Sequence, residues 1–144
     1  MPGLILKLRA HEQILVNGVV MQNGDRNARL IIKTPDAKIL RLRDAIHPDD
    51  ATTPVKRVCY IAQLAVAGET DLNDAKAQLT TGIAQLSDAL DGVDGSEHLG
   101  EAMTGLRDDN FYAVLRCLRR LLPIEEALLS GTPVHNAQPN RYAQ

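Results

Sequence analysis

The sequence predicts an α+β protein: a small N-terminal antiparallel β-meander or barrel of about five strands, followed by an α-helical bundle of four to five helices. Before residue 47, apolar side chains alternate with polar ones at a period of two, which is typical of half-buried strands. After residue 50, apolar residues recur at steps of three and four, which is typical of amphipathic helices. We therefore divide the chain into a basic β-strand domain at 1–47, an acidic α-helical domain at 48–130 and a flexible tail at 131–144.

Turn residues delimit the five strands. Asn17-Gly18 joins two short apolar runs, and both residues tolerate positive φ, which predicts a tight hairpin. Asn23-Gly24-Asp25 and Thr34-Pro35-Asp36 mark the next two turns. The predicted strands are 4–9, 13–16, 19–22, 27–33 and 37–43. Because a unit this small buries little apolar surface, we expect it to pack on the helices or to form a homodimer.

The first two helices are delimited by their capping residues. Thr53 is a suitable N-cap, and Pro54 fits the first helical position, where its missing N–H costs nothing. Gly68 is a natural C-terminal stop, and a second helix is expected to begin after Asp71. The apolar side chains of this second helix form one stripe that requires a partner helix: Leu72, Ala75, Leu79, Ile83, Leu86 and Leu90.

Further helical segments are expected in the rest of the helical domain. Ser96 caps a shorter helix, and the negative charges just before Asn110 favour a helix start there. Pro123 is expected to kink or end that helix, after which 124–129 can form another turn or two. From Gly131 onward, polar residues dominate without a period, which predicts the tail.

Charge is distributed unevenly along the chain. Residues 1–47 carry eight Lys or Arg against four Asp or Glu, a balance of +4, whereas the rest of the chain carries −6. A basic head on an acidic body indicates two different binding roles. The alternative is that the charges only keep both halves soluble.

One face of the predicted strands is basic. If the first, fourth and fifth strands lie in one sheet, that face carries six cations: Lys7, Arg9, Arg29, Lys33, Arg41 and Arg43. Such a face suits a polyanion. Since Ile5, Ile31 and Ile39 share it, the alternative is that helices or a second chain partly bury the face and leave the cations at its rim. The first aromatic residue is Tyr60, so this sheet cannot stack bases on aromatic rings.

Catalytic and metal-binding signatures are missing from the sequence. It contains no glycine-rich phosphate loop with its lysine, no His-Glu-x-x-His and no Cys-x-x-Cys. Cys59 and Cys117 lie among apolar neighbours and are predicted to be buried free thiols. We therefore predict a protein that is not an enzyme and that needs no cofactor or metal. With no apolar run of about 18 residues and no signal-peptide pattern, we expect it in the cytoplasm.

Several motifs follow one another in the order found in a known family. They are Leu4-Ile5-Leu6-Lys7-Leu8-Arg9-Ala10-His11-Glu12, Ile14-Leu15-Val16-Asn17-Gly18, Asn23-Gly24-Asp25-Arg26, Thr53-Pro54, Asn110-Phe111-Tyr112-Ala113 and Glu125-Glu126-Ala127-Leu128-Leu129. On these motifs, residues 4 to 130 resemble the flagellar regulator family FlbT. The resemblance implies a post-transcriptional regulator of flagellin synthesis, typically a repressor that acts on the 5′ untranslated region of flagellin mRNA. It also implies a partner, the small helical protein FlaF, for which the acidic helical domain is a plausible docking site.

The head alone is also similar to CsrA, a strand-swapped dimeric repressor that binds GGA in mRNA leaders. CsrA contacts RNA with its first and last strands, and the matching positions here are Leu6, Lys7, Arg9 and Arg43. The chain departs from CsrA at Leu8, where CsrA carries an arginine, and by one extra residue before Arg43. The predicted RNA-binding residues are Leu6, Lys7, Arg9, Arg41 and Arg43.

The sequence is also consistent with a second function. The chain can instead be a protein-interaction module, or a chaperone-like partner of FlaF or flagellin, with only an indirect effect on mRNA. The exposed half of the second-helix stripe would then face a partner helix, as helix-in-groove recognition requires. The predicted partner-binding residues are Leu79, Ile83, Leu86 and Leu90.

Overall fold

The structure, a computed structural model, describes residues 4–34 and 37–131. It confirms the α+β fold class, with five N-terminal antiparallel strands in two sheets followed by five α-helices in the described part of the chain. The chain divides into two compact units, Met1–Ala45 and Ile46–Gln144, which we call the β unit and the helical unit. The predicted turn at Pro35-Asp36 and the predicted tail beyond Gly131 lie outside the described residues.

The β unit contains two antiparallel sheets. The strands are β1 (Leu4–Leu8), β2 (Gln13–Val16), β3 (Val19–Gln22), β4 (Ala28–Ile32) and β5 (Ile39–Arg41). β1 pairs with β4, and the second sheet has the order β3-β2-β5. Asn17 and Gly18 have φ of 48° and 85°, so the predicted hairpin between β2 and β3 forms with the positive φ that its residues tolerate.

The small core of the β unit is formed by side chains that face inward from both sheets. Leu6, Leu8, Ile14 and Ile39 are buried together, with Val16, Ile32 and Ala37 packed around them. The inner face of β1 thus follows the predicted alternation, except that Leu4 at the strand start is exposed.

The six predicted cations do not share one sheet. β5 lies in the second sheet, apart from β1 and β4, and ends at Arg41. The expectation of a strand through Arg43 was therefore wrong, because the chain turns there into a short 3₁₀ helix, Leu42–Asp44. The grouping of three isoleucines on one face was also wrong, since Ile39 is in the core while Ile5 and Ile31 are exposed.

The helical unit begins with a short 3₁₀ helix, Pro48–Asp50, and continues with five α-helices. They are α1 (Pro54–Ala67), α2 (Leu72–Ala89), α3 (Glu97–Arg107), α4 (Phe111–Arg119) and α5 (Leu122–Ser130). α1 packs against α2 and α4, and α3 packs against the same two helices. Their apolar stripes converge on a core whose largest fully buried side chains include Leu79, Ile83, Leu106, Leu115, Leu118 and Leu121.

Local capping chemistry explains most of the helix boundaries. The Thr53 hydroxyl accepts a hydrogen bond from the Lys56 N–H at 3.3 Å, and Gly68 ends α1 in the left-handed conformation at φ 75°. α2 begins after Asp71 as predicted, and the Asp71 carboxylate caps it by accepting a 3.0 Å hydrogen bond from the Asp74 N–H. Asn110 likewise caps α4, accepting from the Ala113 N–H at 3.1 Å.

Two helix boundaries differ from the expectation. Ser96 precedes α3 but has helical backbone angles and makes no side-chain cap, because a capping side chain needs the extended backbone that Thr53 and Asp71 adopt. α4 ends at Arg119, and Pro123 stands in the first turn of α5, where a proline is tolerated. Pro123 therefore helps to begin a helix. Among the described residues, no helix is long and apolar enough to cross a membrane.

Candidate nucleic-acid interface

Two of the predicted RNA-binding residues lie on the outer surface of the β unit. Lys7 and Arg9 are exposed, at the end of β1 and just after it. Leu6 faces the opposite way and is part of the core. The side chain of Leu6 is therefore not available to RNA, because the alternation of β1 that exposes Lys7 buries its neighbour.

Arg41 and Arg43 converge on one carboxylate, that of Glu12. Arg41 Nη1 lies 3.2 Å from Glu12 Oε2, and Arg43 Nε lies 3.6 Å from the same oxygen. The Glu12 side chain is only 6% exposed, so this carboxylate is a largely desolvated charge that needs its cationic partners. We call Lys7, Arg9, Arg41 and Arg43 the basic cluster.

The two arginines differ in what they can offer a ligand. Arg41 is 17% exposed, and its Nη2 donates a 2.7 Å hydrogen bond to the Lys7 carbonyl oxygen in addition to the contact with Glu12. This side chain therefore joins the end of β5 to β1. Arg43 is 35% exposed and contacts Glu12 through Nε, the nitrogen nearest its stem. The terminal nitrogens of Arg43, which form bidentate contacts to phosphates or guanine edges, lie outside that contact.

A loop after β3 holds the turn that carries Arg9. The Asn23 side-chain amide donates 2.8 Å hydrogen bonds to the carbonyl oxygens of both Arg9 and Arg26. The Asn27 side chain accepts from the Ala10 N–H at 3.1 Å. His11 completes the turn with a φ of 62°, and its N–H donates to the Gly24 carbonyl oxygen at 2.8 Å. The backbone at Arg9 is thus held in place by hydrogen bonds to it and to its neighbours in the turn.

Sequence reasoning missed the roles of Glu12 and Asn23. Glu12 is the first acidic residue of a strongly basic segment, which is a signal that the residue has a structural task. Its partner Arg41 is 29 residues away in the chain, so no local pattern identifies the pair. Asn23 was assigned only to a turn, although its side chain also ties that turn to Arg9.

The side chains of the predicted partner-binding stripe are buried and do not form an exposed surface. Leu79, Ile83, Leu86 and Leu90 are between 0 and 8% exposed and belong to the core of the helical unit. The expectation that half of the stripe is exposed was wrong, because α1 and α3 pack against α2 and cover it. Helical period alone shows that a face is buried without showing which helix buries it.

An apolar groove of about 720 Å³ lies between α1 and α2. Gly82 allows the helices to approach closely at its floor, since a Cβ atom there would lie 2.9 Å from a methyl group of Val58. One charged residue, Arg57, stands among the groove's lining residues. The others are Pro54, Val58, Ile61, Ala77, Gln78, Thr81, Gly82, Gln85, Leu86 and Ala89.

The two cysteine thiols of the helical unit are buried and have low reactivity. Cys59 and Cys117 are both free and buried. Burial raises the pKa of Cys59 to about 12, and burial is also the main cause that raises the pKa of Cys117. A thiol with a raised pKa forms little of the reactive thiolate. Within residues 4–34 and 37–131, no group of three or more His, Cys, Asp or Glu side chains is arranged to hold a metal ion.

A basic cluster on a small β unit, joined in the same chain to a helical bundle, is typical of a binding protein. The comparisons with known proteins agree with that class. The family model described as flagellar protein FlbT matches residues 4–129, and the chain belongs to this family, which is a regulatory family and not an enzyme family.

Several relatives share nearly the full matched length. A probable flagellum biosynthesis repressor protein FlbT from Bradyrhizobium diazoefficiens is 32% identical over 127 residues, covering 88% of this chain and 84% of the relative. Proteins of the same description are 30% identical in Rhodopseudomonas palustris and 25% identical in a Caulobacter species, covering 88% of this chain and 98% and 95% of those relatives. No solved structure matches the chain.

Proposed function

We propose that this protein is a post-transcriptional repressor of flagellin synthesis that binds the 5′ untranslated region of flagellin mRNA through its basic cluster. The repressor part of the proposal is supported by the family and by the names of its relatives. The RNA part is supported chiefly by one observation: Lys7, Arg9 and Arg43 are at least partly exposed on the β unit. The Glu12 carboxylate contacts the Arg43 side chain and the Arg9 backbone N–H.

The chemistry of the cluster favours single-stranded RNA over an apolar ligand. Lysine and arginine neutralise phosphates and release their counterions, which supplies affinity that falls steeply with salt. Arginine also makes paired hydrogen bonds to guanine edges. Because the β unit has no aromatic residue, recognition depends on these cations and on backbone groups.

Single substitutions in the cluster test this proposal. Lys7→Ala, Arg9→Ala and Arg43→Ala are each expected to weaken binding of a flagellin leader transcript about five- to tenfold, because each removes a charged contact. Lys33→Ala is the matched control: it removes an exposed cation of the same unit just after β4, and it is expected to change the affinity less than twofold. Fluorescence anisotropy with labelled RNA gives the affinities. Equal, small effects of all four substitutions would show that the cluster is not the RNA surface.

The groove between α1 and α2 supports a second proposal, contact with a FlaF-like helical protein. The groove is open, mostly apolar and bordered by two helices, which suits an amphipathic helix. Ala77→Glu places a charge in the groove and is expected to reduce capture of the purified partner at least tenfold. Asn73→Glu places the same charge on an exposed position of α2 outside the groove and is expected to leave capture unchanged. Equal capture by both variants overturns this assignment.

Exposed apolar residues of the β unit support a third proposal, a homodimer. All four residues of β3 are exposed, with Val19 and Val20 at 60% each, and within the described residues β3 pairs with β2 alone. A strand exposed on both faces is typical of a surface that another chain covers. Sedimentation equilibrium is expected to show a dimer that Val20→Lys dissociates, whereas Gln22→Lys on the same strand leaves it intact. A monomer at all concentrations contradicts the proposal.

A further inference from the structure

We propose that Glu12 is the positioning residue of the RNA site: its carboxylate sets the arrangement of Arg9, Arg41 and Arg43 that distinguishes the flagellin leader from other RNA. The inference rests on the proposed function. It extends that function by assigning sequence discrimination to Glu12, a residue whose own negative charge repels RNA.

The two oxygens of the Glu12 carboxylate have separate tasks. Oε1 accepts a 2.9 Å hydrogen bond from the Arg9 N–H and so fixes the backbone of the turn after β1. Oε2 lies 3.2 Å from Arg41 Nη1 and 3.6 Å from Arg43 Nε and so orients two guanidinium groups. This side chain therefore connects its own turn, 9–12, to β5 and to the 3₁₀ helix that directly follows β5, about 30 residues further along the chain.

The backbone around Glu12 strengthens this arrangement. The Glu12 N–H donates to the Arg9 carbonyl oxygen at 3.1 Å, and the Glu12 carbonyl oxygen accepts from the Asn23 N–H at 2.9 Å. Both backbone groups are thus held while the side chain is 94% shielded by its surroundings, as its 6% exposure shows. A fixed, desolvated carboxylate holds its partners more strictly than an exposed one, because water competes less for the hydrogen bonds.

Electrostatics alone predicts the opposite role for this residue. A negative charge beside the Arg41 and Arg43 guanidinium groups lowers the local positive potential and so reduces affinity for any RNA. If Glu12 acted only through its charge, its removal would strengthen binding to every sequence equally. A positioning role predicts weaker binding to the leader and no loss for other RNA. The two interpretations therefore differ in the sign of the effect.

Glu12→Gln and Asp44→Asn make the decisive pair of variants. Each removes one negative charge near Arg43, but the Arg9 N–H donates to Glu12 Oε1, whereas Asp44 Oδ1 lies 4.0 Å from Arg43 Nε. Affinities are measured for two probes, the flagellin leader transcript and a scrambled RNA of the same length and composition. Glu12→Gln is expected to lower leader affinity about tenfold and to leave or raise affinity for the scrambled RNA. Asp44→Asn is expected to keep the ratio of the two affinities within twofold of the wild type.

Glu12→Asp provides a second test that changes no charge. It shortens the side chain by one methylene, so the carboxylate can no longer contact the Arg9 N–H and both the Arg41 and Arg43 guanidinium groups at once. The same loss of discrimination is expected, with circular dichroism confirming a native fold for each variant. If Glu12→Asp keeps the leader preference, or if Glu12→Gln raises both affinities equally, the positioning role is wrong and the proposed function stands. A wild-type protein that binds both probes equally overturns the two together.

Discussion

The β unit and the helical unit are organised by different forces. In the helical unit, five amphipathic helices bury a continuous apolar core, and polar side chains cap helix starts at Thr53, Asp71 and Asn110. In the β unit, the central apolar cluster is small, and the loops are held by polar contacts around Glu12 and Asn23. The helical unit is therefore stabilised mainly by apolar burial, whereas the loops of the β unit depend on polar contacts.

The two units also present different surfaces. The β unit exposes Ile5 and Ile31 as a cross-strand pair between β1 and β4, beside a second cross-strand pair of cations, Lys7 and Arg29. The exposed large apolar residues of the helical unit, within the described part of the chain, are Leu72, Leu128 and Leu129. A mixed apolar and cationic surface is suited to binding, so the less extensively packed unit is the one that we assign to RNA.

The largest expected effect is a cavity in the helical core. Leu118 is fully buried in α4, and Leu118→Ala is expected to lower the free energy of unfolding by about 2–5 kcal/mol through lost burial and the remaining cavity. Leu129→Ala, at a position 68% exposed, is the matched control and is expected to change it by less than about 0.5 kcal/mol. Urea denaturation followed by far-ultraviolet circular dichroism measures both. Similar effects of the two substitutions would contradict a core built by burial.

The next effect concerns the buried charge of the helical unit. Glu125 in α5 accepts hydrogen bonds from the Thr53 hydroxyl and, at 2.8 Å, from the Val55 N–H at the start of α1. Glu125→Ala is expected to lower the free energy of unfolding by about 2–3 kcal/mol, because one buried and one partly buried donor at a helix N-terminus lose a charged acceptor.

Asp88 provides a control for that prediction. It is exposed in α2, and Asp88→Ala is expected to change the free energy of unfolding by less than about 0.5 kcal/mol. The same urea denaturation gives both values. If Glu125→Ala is as mild as Asp88→Ala, the Glu125 carboxylate does not anchor α1 to α5.

A smaller effect is expected at the loop between α2 and α3. Gly95 has a φ of 95°, and a Cβ atom there would clash with Ile124 Cδ1. Gly95→Ala is therefore expected to lower the unfolding free energy by about 1–3 kcal/mol. Gly100 stands inside α3 with open space around it, so Gly100→Ala is expected to be neutral or to stabilise by up to about 1 kcal/mol. Thermal unfolding of the pair measures the difference, and equal melting temperatures would exclude strain at Gly95.

Local signals in the sequence predicted most of the elements. The Asn17-Gly18 hairpin, the Thr53-Pro54 helix start and the Gly68 helix end each depend on the backbone preferences of one or two residues, which act whatever the rest of the chain does. The apolar stripe of α2 was likewise predicted from its period and is present in the structure.

Features that depend on distant parts of the chain were not predictable in this way. Strand alternation marks which faces are apolar, but it does not assign β1 and β5 to different sheets. The end of β5 at Arg41 accompanies the contacts of Arg41 and Arg43 with Glu12, which is about 30 residues away. The α1–α2 groove depends on how closely two helices approach at Gly82, and a single helix pattern carries no such information.

RNA binding by the basic cluster is tested by the salt dependence of leader binding. Binding of the flagellin leader transcript is measured from low to moderate salt for the wild-type protein and for the triple variant Lys7→Ala, Arg9→Ala, Arg43→Ala. Each phosphate neutralised on single-stranded RNA contributes about −0.7 to the slope of log affinity against log salt. We expect a steep wild-type slope that the triple variant flattens by about two units. A wild-type protein that fails to bind the leader, or a triple variant that keeps the full slope, would contradict the assignment of RNA binding to the β unit's basic cluster.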